Sequence, residues 1–540
     1  MPEAEAYGSG GATVRAGEQV GRSELEIEAL ARKKEARIWK ARFALDFKEC
    51  YFFATPTRMR EVMSDNEPAK APDGDQGDLM TSSGILNCQD FVTEVVNTYM
   101  PEAQPWCSRG RGMFVKQSDW ESVADQVGKD DMLIFDAMKA SNLYPEVQKA
   151  FFPDLGIGTY GLWIHRRNLF EPISVQAVPL REIEINTGPD GYIDDRFVSR
   201  WTRNRNIKTL LPDVMLPREC LDDIRNEPER RTCVWWGFWR KWDRKDNEVY
   251  QAVTFVDKKM VASRLYEGEG SCPFMVGRFN PCADWPWGMG PLYTSLPELR
   301  QVDELESQRM LHGELELTPP ISFPDESFAA VENGLEAGAA YPIRLGQQDA
   351  IKKIYEPGPA QAGQYESQEK EHRLRKLFFI DYPEQSGDTP PTLGQWLDEM
   401  ARAQRRMGGP GSAFWWEGPA KIFLRFKFLL ESAGTIQPVT VDGRAVGLLP
   451  YNPATRAAEQ QEIATNVQAI QICAQAFPEE FKIRVDGAKT MLNLIKKMRA
   501  KLIAFRDKDE VEGAVNQIAK LVGGQLGAAG GAEQPPTVAP

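Results

Sequence analysis

Apolar positions recur with two different periods along this chain, and the change of period divides it. Leu25, Ile27, Leu30, Ile38, Phe43 and Leu45 are spaced mostly as on a helix. Ser23 followed three residues later by Glu26 forms a capping box, so a helix is predicted to begin there. Residues 65–78 read as a polar loop. Helical spacing returns over 84–100 and again over 118–140, where Ser118 or Asp119 is the candidate cap. From about 160 to 265 the pattern becomes short runs rich in β-branched and aromatic residues, at 162–166, 175–179, 182–186, 193–200, 234–242, 250–256 and 260–265. Gly188-Pro189-Asp190-Gly191, the DRKDN of 243–247 and the DKK of 257–259 are hairpin turns by composition. A mostly antiparallel β region embedded in helical sequence is expected.

Helical spacing resumes over 291–318, with an apolar stripe of Leu296, Leu299, Val302, Leu305, Met310 and Leu311 that Pro319 and Pro320 close. Residues 319–359 read as short strands and turns, and 363–380 as a second helix. A Pro/Gly loop at 381–391 precedes a long helical pattern over 393–434, interrupted by the GGPG of 408–411. Asn452 and Pro453 open a final helical region that runs to about 522. Residues 1–20 and 523–540 are low in complexity and expected to be flexible. The fold class predicted is α+β: helix-rich and multidomain, with an antiparallel β region and a small second β insertion.

Composition narrows the function. A chain of 540 residues, 42% hydrophobic and 26% charged, has enough apolar sequence for several packed domains. A net charge of −13 argues against a protein that coats DNA, which needs excess Lys and Arg to displace counterions. It leaves room for one that surrounds DNA without gripping it. Eight irregularly spaced cysteines, none in a CxxC pair, and three scattered histidines (His165, His312 and His372) suggest no zinc site. Reduced thiols and assembly in the host cytoplasm are expected. The N-terminus has no apolar signal core. The most apolar stretch, Ile422 to Leu430, is short for a bilayer and carries Arg425 and Lys427, so no membrane role is expected.

Four local patterns bear on chemistry. Gly156 to Gly161 matches GxGxxG, but a broken segment precedes it and a strand-like one follows, so it reads as a turn feeding a strand rather than a dinucleotide site. Ser108 to Gly112, an Arg-Gly cluster, reads as a mobile surface loop rather than an RNA contact. Val234 to Trp242 puts large aromatics on both faces of a strand, as core or subunit-interface packing rather than a base-stacking platform. Asp194 and Asp195 read as solvated turn residues. GxSxG, HExxH and Walker A sequences are all missing, so no catalytic residue, metal or cofactor is assigned.

Several blocks nonetheless resemble portal (head-to-tail connector) proteins of short-tailed, podovirus-type bacteriophages. Gly158 to Ile164 is similar to the family's Gly-Thr approach to a strand, and Val178 to Ile183 with GPDGYIDDRF to its hairpin. Pro273 to Leu299 is the most specific piece. Arg278, Phe279, Trp287, Gly288, Gly290, Pro291, Leu296 and Pro297 match the signature that introduces the first channel helix, with a departure at Met289, where the family often has Arg. The resemblance spans roughly 25–500, by order of elements more than by identity.

It implies a non-enzymatic subunit of a ring of twelve at the capsid vertex, through which double-stranded DNA is packaged and ejected. The implied partners are the packaging terminase, then the tail adaptor, together with major capsid and scaffolding proteins. The implied parts are a wing (21–290 with 393–436), stem helices (291–318 and 363–380), a clip (319–359), a channel loop (381–391) and a crown (450–522). Asp381, Glu384 and Asp388 of the loop, with Lys370 and Arg373 of the second stem helix, are the candidate DNA-channel residues. Two other readings stay open at this point: another virion structural or inner-core protein, and a nucleotide-binding enzyme using 156–161.

Overall fold

A computed structural model of the chain describes residues 23–57, 62–63, 79–167, 172–212, 214–242, 248–317, 321–322, 352–353, 361–380, 407–437, 446–450 and 453–476, with isolated positions up to 494. The chain divides into two compact units, Met1–Ala454 and Thr455–Pro540. In the second unit the described structure is chiefly helical, as the bulk of α13 (Pro453–Ala476), which opens on its proline as expected. Among the described residues no helix is long and apolar enough to cross a membrane.

The first unit is α+β. Helix α1 (Glu24–Ala54) starts at the predicted cap: Ser23 has extended backbone, and its Oγ accepts the Glu26 N–H at 3.3 Å. The next helices are α2 (Ser83–Tyr99), α3 (Gln117–Ala140), α4 (Leu143–Phe151) and the single turn α5 (Asp154–Ile157). Neither Ser118 nor Asp119 caps α3. Lys116 holds the extended N-cap position instead, and Asp119 lies in the first turn, where the helix dipole favours a carboxylate.

The β region forms two antiparallel sheets. One has the order β3-β2-β9, from β2 (Thr159–Arg166), β3 (Ile173–Val178) and β9 (Phe274–Arg278). The other has the order β4-β5-β6-β7-β8, from β4 (Ile183–Thr187), β5 (Ile193–Arg203), β6 (Arg231–Arg240), β7 (Val249–Val256) and β8 (Lys259–Glu267). The hairpins at 188–191 and 257–259 form as predicted, with Gly191 at φ 76 and Asp257 at φ 54; the DRKDN turn lies outside the described residues. Two short helices that periodicity had not indicated, α6 (Asn204–Leu210) and α7 (Arg218–Asn226), separate β5 from β6.

Alternation along the five-stranded sheet sends side chains to two different cores. Phe197, Trp235, Trp239 and Phe255 pack with Ala29 and Ala36 of α1. Trp236 and Phe238 face the other way and meet Trp163 of β2, with ring centroids 5.3 and 5.6 Å apart. The aromatic run 234–242 is therefore packing on both faces, as expected.

Three further expectations are corrected here. Ser108 to Arg111 belong to a strand, β1 (Cys107–Arg111), paired with β12 (Val446–Pro450). Arg109 is buried, with Nε 2.6 Å from Asp131 Oδ1, and burial outweighs that ion pair enough to push the Asp131 carboxyl upward. A distant carboxylate thus turns a surface-like Arg-Gly cluster into core. Asp194 and Asp195 are buried in β5, where Asp194 accepts from the Trp242 indole at 2.6 Å and Asp195 from Arg32 at 2.9 Å. Finally, GGPG does not interrupt its helix. Helix α11, described over 407–417, continues through it, and the break falls at Gly418 before α12 (Pro419–Ser432). A Cβ on Gly411 would lie 1.6 Å from the Tyr99 hydroxyl, so this glycine serves close packing rather than a turn.

Candidate functional site: the root of the projecting helix pair

The matched block 273–299 folds into one buried junction. Its strand, β9, pairs with β2 in the register Thr159↔Arg278 and Tyr160↔Gly277. Past Arg278 the chain turns at Asn280 (φ 51), loops out, and closes on itself where Pro281 bridges Gly288 and the Met289 N–H donates to the Asn280 carbonyl at 3.1 Å. It then crosses the turn between α5 and β2 backbone to backbone. The Phe279 N–H donates to the Gly158 carbonyl at 2.9 Å, and the Gly290 N–H to the Ile157 carbonyl at 2.8 Å. The Gly288 N–H donates to Thr159 Oγ1 at 3.0 Å.

Glycine is required on both sides of that crossing. A Cβ on Gly288 would lie 2.1 Å from the Gly158 carbonyl oxygen, and one on Gly290 would lie 2.1 Å from that of Gly156. Gly158 itself sits at φ 134, a conformation that side chains resist. The GxGxxG run is therefore a turn feeding a strand, as read, with a purpose that sequence alone had not supplied: Gly156 and Gly158 are the partners of Gly288 and Gly290.

Arg278 ties the surrounding elements to this crossing. It is 1% exposed. Its Nε and Nη2 donate to the two carboxylate oxygens of Glu417 at 2.8 and 2.5 Å, Nη1 to the Pro286 carbonyl at 3.2 Å, and Nη2 also to the Gly191 carbonyl at 2.8 Å. One guanidinium thus joins β9, the loop 279–290, the β4–β5 hairpin and the end of α11, in the bidentate geometry that favours arginine. Burial, and then the nearby Glu417 charge, raise the neighbouring Tyr160 phenol well above its ordinary range, so it stays neutral.

The aromatic residues of the block complete the root. Phe279 packs against Phe91, Phe379 and Phe414, at 5.1, 5.9 and 6.1 Å between centroids, and Trp287 meets Phe47 of α1 edge-on at 5.4 Å. Gly290 then caps α8 (Pro291–Thr294), whose first residue is Pro291. The predicted single helix 291–318 is in fact broken at Ser295. Pro297 has no N–H to give the Tyr293 carbonyl, so the chain restarts as α9 (Leu296–Leu317).

Helix α10 (Gln361–Leu377) returns beside α9, with Leu299, Val302, Leu374 and Phe378 buried. The predicted stripe ends there, because Met310 and Leu311 further along α9 are exposed. Lys370 Nζ donates to Gln301 Oε1, and Arg373 is exposed. Asp303 accepts from the Met80 and Thr81 N–H groups at 2.9 and 3.2 Å. Between the two helices the described segments β10 (Ile321–Ser322) and β11 (Lys352–Lys353) pair antiparallel, while Asp381, Glu384 and Asp388 lie outside the described residues.

Arg278, Phe279, Trp287, Gly288, Gly290 and Pro291 therefore meet at one place, whereas Lys370 and Arg373 sit on the returning helix. Glu417 was not anticipated. The only available signal was that a motif arginine placed in a strand must find a carboxylate somewhere.

Fold and junction together define an α+β body with a helix pair, α9 and α10, leaving a closely packed base. The chain belongs to the bacteriophage head to tail connecting protein family, whose sequence profile matches residues 28–500 and so contains the whole junction. No curated protein matches it. It is a phage head-to-tail connector.

Proposed function

We propose that this connector is the portal subunit of a short-tailed phage, assembled as a ring of twelve around an axial channel for double-stranded DNA. On this reading it docks the packaging terminase and later the tail adaptor, and sits in the vertex among major capsid and scaffolding proteins. The observation that carries the reading is the excursion from the junction. Helix α9 leaves, β10 pairs with β11, and α10 comes back alongside, as a stem–clip–stem needs. The clip would be 319–359, the channel loop 381–391 and the crown 450–522. Native mass spectrometry of the purified chain is expected to find closed rings; monomer or dimer alone, across salt and concentration, would overturn the reading.

The loop 381–391 contributes Asp381, Glu384 and Asp388 and no basic residue. Duplex DNA carries about one charge per 1.7 Å of axis. In a narrow channel those charges lie within a Debye length of about 8 Å from the wall. A basic wall would form phosphate pairs that every translocation step must break, whereas an acidic one keeps the duplex centred. Exposed Arg373, with Lys370, supplies weak and transient contacts. Changing Asp381, Glu384 and Asp388 together to Lys, in rings confirmed intact by microscopy, is expected to slow packaging or ejection, with a defect that shrinks as salt rises. Unchanged translocation at low and high salt would remove the loop from the mechanism.

A further inference from the structure

Helix α1 has two apolar faces. One is buried: Ala29 and Ala36 against Phe197, Trp235 and Trp239, and Phe47 and Tyr51 in the main core. The other is open to solvent, with Ile27, Ile38 and Leu45 exposed by 55, 50 and 81%. Ala31, Lys34 and Ala41 are exposed between them. Positions 27, 31, 34, 38, 41 and 45 alternate steps of four and three, the seam spacing of helices that pack on another surface. At 1.5 Å per residue the stripe is about 27 Å long. One apolar stripe suffices to seat a helix on its own sheet, so the second calls for a partner.

A ring closed by rotation needs two different faces that fit each other. The structure offers the second on the opposite side of the same sheet. Phe197 and Trp239 point toward α1, so their strand neighbours Arg196 and Arg240 point away. With Tyr250 these arginines floor a cleft of about 260 Å³. Two of its lining residues are exposed aromatics, Tyr192 at 59% and Trp416 at 52%. Charge matches as well: Lys34 within the stripe and Asp190 at the cleft form no ion pair among the described residues.

We propose that the Ile27–Leu45 stripe of one subunit seats against the Tyr192–Trp416 cleft of the next copy, forming the contact that closes the ring. This rests on the ring reading above, and the test separates the two. Three proteins are compared by native mass spectrometry, each checked for folding by circular dichroism: the unaltered chain, a stripe variant (Ile38→Glu with Leu45→Glu) and a cleft variant (Tyr192→Glu with Trp416→Glu). The unaltered chain is expected to form rings. Each variant is expected to be a folded monomer, its contact weakened at least about a hundredfold by loss of the buried apolar side chains. Mixed together, the two variants are expected to give a heterodimer and nothing larger, because one intact stripe then meets one intact cleft.

That mixed dimer also proves both variants competent to fold. Rings from the stripe variant would assign this face to another virion protein and overturn the proposal while leaving the ring reading intact. Two monomers that stay apart on mixing would show that these faces are not partners. An unaltered chain that never forms rings would overturn the ring reading itself.

Discussion

At the root of the helix pair, Arg278 is 1% exposed and makes hydrogen bonds to Glu417, Pro286 and Gly191, and the glycines around it leave no room for a Cβ. Toward the far end of α9, Met310, Leu311 and Leu317 are 54, 56 and 85% exposed, and a Cβ on Gly313 would meet nothing. Among the described residues, the root is closely packed and the outer part of α9 is open to solvent. The direction in which the pair leaves the body is thus set within the subunit. The outer reach of α9 exposes more apolar surface than one helix partner covers, as expected for an element that finds further neighbours on assembly.

The sharpest way to break this comparison is to remove the root's buried charge. Arg278→Met leaves Glu417 buried without its partner and is expected to cost about 3–5 kcal/mol in denaturant unfolding of dissociated subunits. Adding Glu417→Met should recover much of that loss. A single variant as stable as the parent would mean that the pair is not buried in solution.

The two kinds of glycine make a finer test. Gly290→Ala forces a Cβ against the Gly156 carbonyl and is expected to destabilise by about 1–3 kcal/mol. Gly313→Ala removes a flexible residue from an open helix surface and is expected to stabilise by about 0.5–1 kcal/mol. Opposite signs in one thermal-unfolding series would support the contrast, and equal signs would end it.

The smallest effect belongs to the exposed ion pair between Arg300 of α9 and Glu49 of α1, whose side chains are 55 and 29% exposed. Solvent screens such a pair, so Arg300→Ala should cost below about 1 kcal/mol and less still in high salt. A loss as large as that of Arg278→Met would show that the outer contact matters as much as the root.

Much of this was legible in the chain itself. The change of period near 160 placed the β region, and the Ser23 capping box placed the start of α1, whereas the Pro319-Pro320 stop lies outside the described residues. Each is a local property, read from spacing or from a residue that cannot continue an element. The block 273–299 is legible as a unit by its resemblance to the connector family, and GxGxxG reads as a turn because a strand-like segment follows it.

Tertiary structure decided the rest. Arg109 looked like part of a surface loop until Asp131 and β12 enclosed it, and Asp194 and Asp195 looked solvated until Trp242 and Arg32 came to them. Gly411 looked like a break, but Tyr99 packs where a side chain would be. The apolar residues of α1 formed a single helical pattern, yet only the fold sorted Ala29 and Phe47 into cores and left Ile38 and Leu45 in solvent. In each case the deciding partner lies far away in sequence. Spacing records which residues share a strand or a helix face, whereas the burial of a charge or the need for a glycine depends on what the fold brings opposite it.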